Sequence, residues 1–112
     1  MSANESSICR CRRPPFHYQD YERAVLGDDR HWAEVSVDRC KFCGTYWLKY
    51  LIEEAHHTAS GRWWRVILPE SDRDSIQAED ARAFIERQAS GFYGGSYFAS
   101  RGDVFNRPPK IR

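Results

Sequence analysis

With 112 residues and 17 basic against 16 acidic side chains, the chain carries a net charge of +1. It has room for one domain and lacks the global field with which a protein holds long duplex nucleic acid. No stretch approaches the roughly 20 apolar residues of a membrane span, and the polar Met1 to Ser7 lacks the apolar core of a secretory signal, so a cytoplasmic location without a membrane partner is expected.

Residues 1–7 read as a frayed end, followed by Cys9-Arg10-Cys11. Pro14-Pro15 excludes a helix directly after that pair. The chain stays polar up to turn chemistry at Gly27-Asp28-Asp29. From Trp32 to Val37, Ala33, Val35 and Val37 alternate with polar residues, the period of a half-buried strand running into Cys40. Past Cys43, Tyr46, Leu48, Tyr50 and Ile52 share one face of a second strand. A polar connection at 56–61 leads to a third, Arg62 to Leu68, in which Trp64, Val66 and Leu68 share a face and Pro69 ends the run. Three consecutive strands form an antiparallel meander most simply.

The period changes between Ser75 and Gln88, where Ala81, Phe84 and Ile85 line a helical stripe. Asp74 is the expected N-cap, with Gln77 three residues on and Gly91 beyond the last turn. Gly91 to Ser100 alternates glycines with aromatic pairs, as an edge strand or a glycine-kinked hairpin whose rings cover the sheet would. A solvated tail is expected over 107–112. The chain thus reads as one α+β domain, 1–112, frayed at 1–7 and 107–112: a small antiparallel sheet of three to five strands with one helix packed on it.

The four cysteines fall into two tight pairs, Cys9-x-Cys11 and Cys40-x-x-Cys43-Gly44. Two residues between thiolates let both sulfurs reach one cation at roughly 2.3 Å, and a following glycine eases the backbone turn. A redox dithiol, disulfides and an iron–sulfur cluster are the alternatives. A thioredoxin-type thiol needs a helix starting at the Cys-x-x-Cys, whereas Gly44-Thr45 leads into an aromatic strand. This pattern resembles the zinc-ribbon class, in which two cysteine knuckles clamp one ion at the end of an antiparallel sheet. The resemblance implies a structural zinc ligated by Cys9, Cys11, Cys40 and Cys43, with no position left for an activated water.

Other constellations have plainer readings. Glu53-Glu54-Ala55-His56-His57 contains Glu-x-x-His twice, but di-iron sites repeat that motif on several helices, so a polar strand end is expected. His17 and His31 are read as surface or turn histidines. Arg10, Arg12 and Arg13, with Arg39 and Lys41, form a basic rim beside the knuckles. That rim offsets the charge of a tetrathiolate or, with Phe16, Tyr18 and Phe42, holds single-stranded nucleic acid. Arg101-Gly102-Asp103 reads as a turn. Trp63-Trp64 places rings on both faces of a strand, as does Trp47. Either the segment Phe92 to Phe98 covers the second face, or Trp47, Trp63, Trp64, Tyr93 and Tyr97 mark a partner site.

No phosphate-binding glycine loop, nucleophile elbow or His-Glu-x-x-His occurs. The expected function is therefore a non-enzymatic zinc-binding module for another protein, without a small-molecule substrate; the alternative is RNA or single-stranded DNA binding. In size, charge and its Gly-Gly-Ser-Tyr-Phe stretch the chain is similar to small bacterial immunity-type proteins that neutralise toxins.

Overall fold

The computed structural model describes residues 9–54 and 56–111; the stretch expected to fray at 1–7 lies outside them. Six strands form one antiparallel sheet in chain order: β1 (Tyr21–Asp28), β2 (Glu34–Cys40), β3 (Tyr46–Ile52), β4 (Arg62–Ile67), β5 (Gly91–Gly95) and β6 (Ser100–Phe105). A short helix α1 (Glu70–Arg73) and the nine-residue α2 (Ala78–Glu86) connect β4 to β5.

Because side chains alternate along a strand, the register sorts them onto two faces. One carries Val35 and Val37, then Leu48, Tyr50 and Ile52, then Trp64 and Val66, and α2 seals it with Ala81, Phe84 and Ile85. The opposite face carries Cys40, Trp47 and Phe92. No helix covers it. Residues 9–20 cross it instead as an extended strap with two single 3-10 turns, Arg10–Arg12 and Tyr18–Asp20. Phe16 is its main apolar anchor, with its ring centroid 5.0 Å from Phe92 and 5.7 Å from Trp63. Gly94 lies opposite Trp63 in the register, and a Cβ there would meet the indole Cζ2 at 2.7 Å. The absent side chain is the space Trp63 occupies.

Four expectations need correction. The sheet has six strands rather than three to five, because the tail supplies a hairpin of two and the polar stretch before Gly27 supplies β1. As an edge strand with almost every side chain in solvent, β1 shows no hydrophobic period to read. The helix starts at Gln77, not Asp74: Gln77 and Asp80 exchange side-chain bonds in a capping box, with the Gln77 N–H donating to Asp80 Oδ2 at 3.0 Å. The tail is solvent-exposed at Arg107, Pro108 and Lys110, as expected, but Ile111 is anchored, 2% exposed against the helix-side core. Its N–H donates to Glu86 Oε2 at 2.9 Å and its carbonyl accepts from Arg82 Nη2 at 2.7 Å. Arg101-Gly102-Asp103 lies inside β6 rather than in a turn, where a Cβ at Gly102 would come within 2.8 Å of the Pro14 Cβ.

Asp29 locks the β1–β2 connection onto the sheet. Its buried carboxylate accepts the N–H of His31 at 2.9 Å and of Ala33 at 3.0 Å, and the Tyr50 hydroxyl donates to it. Burial disfavours its charge, but these three donors outweigh that and hold the carboxyl below its usual range. A depressed acid contributes stability above its unfolded value of 3.8 and loses it as pH falls through the native value. Asp29→Ala should therefore cost about 2–3 kcal/mol at pH 7, and its difference from the wild type in urea unfolding should shrink at pH 3.

Candidate metal centre

Each knuckle is shaped by local backbone bonds. After Cys9 the chain makes a 3-10 turn, with the Arg12 N–H donating to the Cys9 carbonyl at 2.9 Å and the Arg13 N–H to the Arg10 carbonyl at 3.1 Å. The second knuckle caps the β2–β3 hairpin: Cys40 N–H donates to the Thr45 carbonyl at 2.8 Å and Gly44 N–H to the Cys40 carbonyl at 2.9 Å. Gly44 sits at φ +79°, a left-handed conformation that glycine reaches without cost. The Phe42 N–H points at Cys40 Sγ, 3.4 Å away, and so stabilises charge on that sulfur. Lys41 N–H donates to the Asp20 carbonyl at 2.8 Å, which sews the end of the strap to the knuckle.

These turns bring Cys9, Cys11, Cys40 and Cys43 together with all four sulfurs within 4.8 Å of one another. Cys9 and Cys40 are 3.6 Å apart and Cys11 and Cys43 3.5 Å apart. A disulfide would require about 2.05 Å. A tetrahedral thiolate site with metal–sulfur bonds of about 2.3 Å has edges of about 3.8 Å, so the cluster fits one four-coordinate ion. Cys11 and Cys40 are buried, Cys9 is half-buried and Cys43 faces solvent.

Protonation of the thiols follows the same geometry. Burial pushes Cys9 and Cys11 upward. At Cys43 burial acts the same way but is outweighed by Thr45, whose hydroxyl oxygen lies 3.2 Å from the sulfur, and by the neighbouring thiols, bringing it down to about 6. At neutral pH an incoming cation would thus have to displace the protons of Cys9 and Cys11, which pass to solvent.

Cations surround the cluster. Arg10 pairs with Asp20 at 2.9 Å and its guanidinium lies 5.3 Å from the Phe42 ring centroid, while Arg12 and Arg13 are exposed. Arg39 reaches Glu22 at 3.4 Å. Behind the strap, Arg65 is 3% exposed among the rings of Phe16, Tyr21 and Trp47, at 4.6, 4.6 and 5.2 Å. Nothing in the sequence analysis singled out Arg65, although a cation flanked by Trp-Trp and Val-Ile in a strand is a readable signal of a buried charge.

Of the two readings left open for the aromatic residues, the ring contacts support covering by the segment Phe92 to Phe98. Trp47 is 1% exposed beside the cysteines and Trp64 3% exposed on the helix side. Trp63 is half-buried under Phe16. Phe92 covers Trp47 and Phe98 covers Trp64, with centroids 5.8 and 5.7 Å apart, so the segment Phe92 to Phe98 supplies rings to both faces. Tyr93 packs on Phe98, and Tyr97 is exposed with Arg62 over its ring at 4.9 Å. His56 is exposed, and His57 Nε2 lies 4.0 Å from Glu54 at the edge of an open depression that Glu53, Ser60 and Ser96 also line. Beside the cluster lies a groove of about 350 Å³ with Trp47 and Phe92 in its floor, the exposed Ile67 and Val104 on its walls and Arg12 on its rim.

Comparison of the chain with protein-family models, curated proteins and solved structures finds no match. Among the described residues no helix is long and apolar enough to cross a membrane. Since Cys9 and Cys11 are held protonated by burial, metal affinity should fall by at least about tenfold for each pH unit below neutrality. A chelator competition at pH 6 and pH 8 measures this; equal affinities would contradict proton-coupled thiolate ligation.

Proposed function

We propose that Cys9, Cys11, Cys40 and Cys43 hold one structural zinc ion, and that the protein is a non-enzymatic module binding another protein, as an inhibitor, adaptor or immunity-type protein does. The observation that carries the metal reading is the sulfur geometry: four cysteine sulfurs within 4.8 Å of one another, drawn from two knuckles, one with an N–H aimed at sulfur. Four thiolates fill the coordination of zinc, leave no site for a reactive water and form a dianion that the surrounding arginines moderate. Zinc in such sites contributes roughly 10 kcal/mol or more to folding.

The partner reading rests on the groove. Ile67 and Val104 are 39% and 61% exposed beside a buried aromatic floor, with Arg12 at the rim. An apolar side chain flanked by an acidic residue, on an extended segment of the partner, matches that arrangement. A second reading, single-stranded nucleic acid, is favoured by the exposed Phe42 stacked under Arg10, next to Arg12 and Arg13.

Native mass spectrometry should find one zinc ion per chain, lost in Cys11→Ser. For the partner, Ile67→Asp and Val104→Asp alter exposed positions, so the fold should survive. Each should weaken capture of the host protein that the wild type retains by tenfold or more, and unchanged capture by both variants would remove the groove as the contact. Salt-sensitive binding of short oligonucleotides, reduced by Arg12→Ala and Arg13→Ala, would establish the nucleic-acid reading instead.

A further inference from the structure

Between the strap and the sheet lies a separate cavity of about 220 Å³, and its charge is one-sided: Arg23, Lys49, Arg65 and Arg101 line it, and no carboxylate does. Arg23 is already satisfied, donating from Nε and Nη2 to the two oxygens of Asp38 at 3.1 Å each. Asp38 also accepts from Ser36 at 2.9 Å; its charge favours the cationic forms of Lys49 and Arg65, but it makes no hydrogen bond or ion pair with either. No ion pair is found for Lys49, Arg65 or Arg101 among the described residues.

Arg65 is 3% exposed, yet its Nε and Nη2 have no hydrogen-bond partner. Buried polar groups are almost always satisfied, and a buried charge more so. The three rings around the guanidinium stabilise its charge but accept no hydrogen bond in its plane, and the cysteine sulfurs do not accept one from it either. The register sharpens the problem. Lys49 stands directly opposite Arg65 across β3 and β4, on the same face, and like charges in directly opposed positions repel. Two facing cations, one buried and unsatisfied, are what a site for an anion looks like when the anion is absent.

We propose that this cavity binds a phosphate-bearing anion, with the phosphate between Arg65, Lys49 and Arg101. The dianionic charge of a phosphate matches three cations better than a carboxylate does. Pockets for whole drug-sized ligands run from roughly 300 Å³ upward, so a cavity of about 220 Å³ takes the phosphate and the near part of whatever carries it. Tyr18, 77% exposed at the mouth, and the half-buried Trp63 offer ring faces to a base attached to that phosphate. The inference is independent of the groove and its partner, and depends on the zinc reading only for the position of the strap.

The test is calorimetric titration of the metal-loaded chain, zinc content verified in each sample, with inorganic phosphate, adenosine 5′-monophosphate and adenosine. Wild type is compared with Lys49→Met and Arg101→Ala, which both retain Arg65. Saturable binding of the two phosphates but not of adenosine is expected, weakened tenfold or more in each variant. Binding of the nucleotide at least tenfold tighter than inorganic phosphate would identify a nucleotide as the ligand class, and equal affinities would identify the free anion. Lys49→Met should also raise the thermal midpoint in phosphate-free buffer, by relieving the repulsion with Arg65, and cancel the rise that phosphate brings to the wild type. Absence of saturable binding to the wild type, or binding undiminished in both variants, would overturn the proposal; loss of zinc with binding retained would count against the metal reading alone.

Discussion

Four cysteine sulfurs within 4.8 Å of one another are the constraint on which one whole side of this molecule depends. The sheet is apolar on both faces, and its single long helix covers only one. On the other, Trp47 and Phe92 would be bare without the strap, which pairs with no strand over residues 9–20 and buries few apolar side chains beyond Phe16. A segment with so few contacts does not offset the entropy lost in ordering it. A metal bound by the four cysteines would clip its first turn to the β2–β3 hairpin and change that balance, because ligation free energy becomes folding free energy.

The same clip organises the charges. A metal tetrathiolate is strongly anionic, and Arg10, Arg12 and Arg13 are set around it by the turn that positions Cys9 and Cys11. Arg65 lies under the strap in a cage of rings, two of which, Phe16 and Tyr21, belong to the strap and the strand it enters. Both the groove beside Trp47 and the basic cavity beside Lys49 have strap residues in their walls. By fixing the start of the strap, the cysteine cluster thus helps to shape both concave surfaces.

Much of this was legible in the chain. The strands from Glu34 to Ile67 declare themselves by alternating apolar residues, the helix by the spacing of Ala81, Phe84 and Ile85, and the clustering of the four cysteines by their two tight pairs. What escaped had physical reasons. β1 is an edge strand held by its backbone, so its side chains carry no period. Ile111 is one apolar residue in a polar tail, and only the position of α2 gives it a pocket. The exposure of Trp47, Trp63 and Trp64 could not be read locally either, since it was decided by Phe16, Phe92 and Phe98, which arrive from distant parts of the sequence. Arg65 belongs to the same class: its burial follows from what crosses above it.

X-ray absorption at the zinc edge of the purified protein tests the central claim most directly. Four sulfur neighbours at about 2.3 Å, with no nitrogen or oxygen in the first shell, are expected. A shell with fewer sulfurs, or a fully folded chain that binds no metal with Cys9 and Cys11 free in solution, would contradict it.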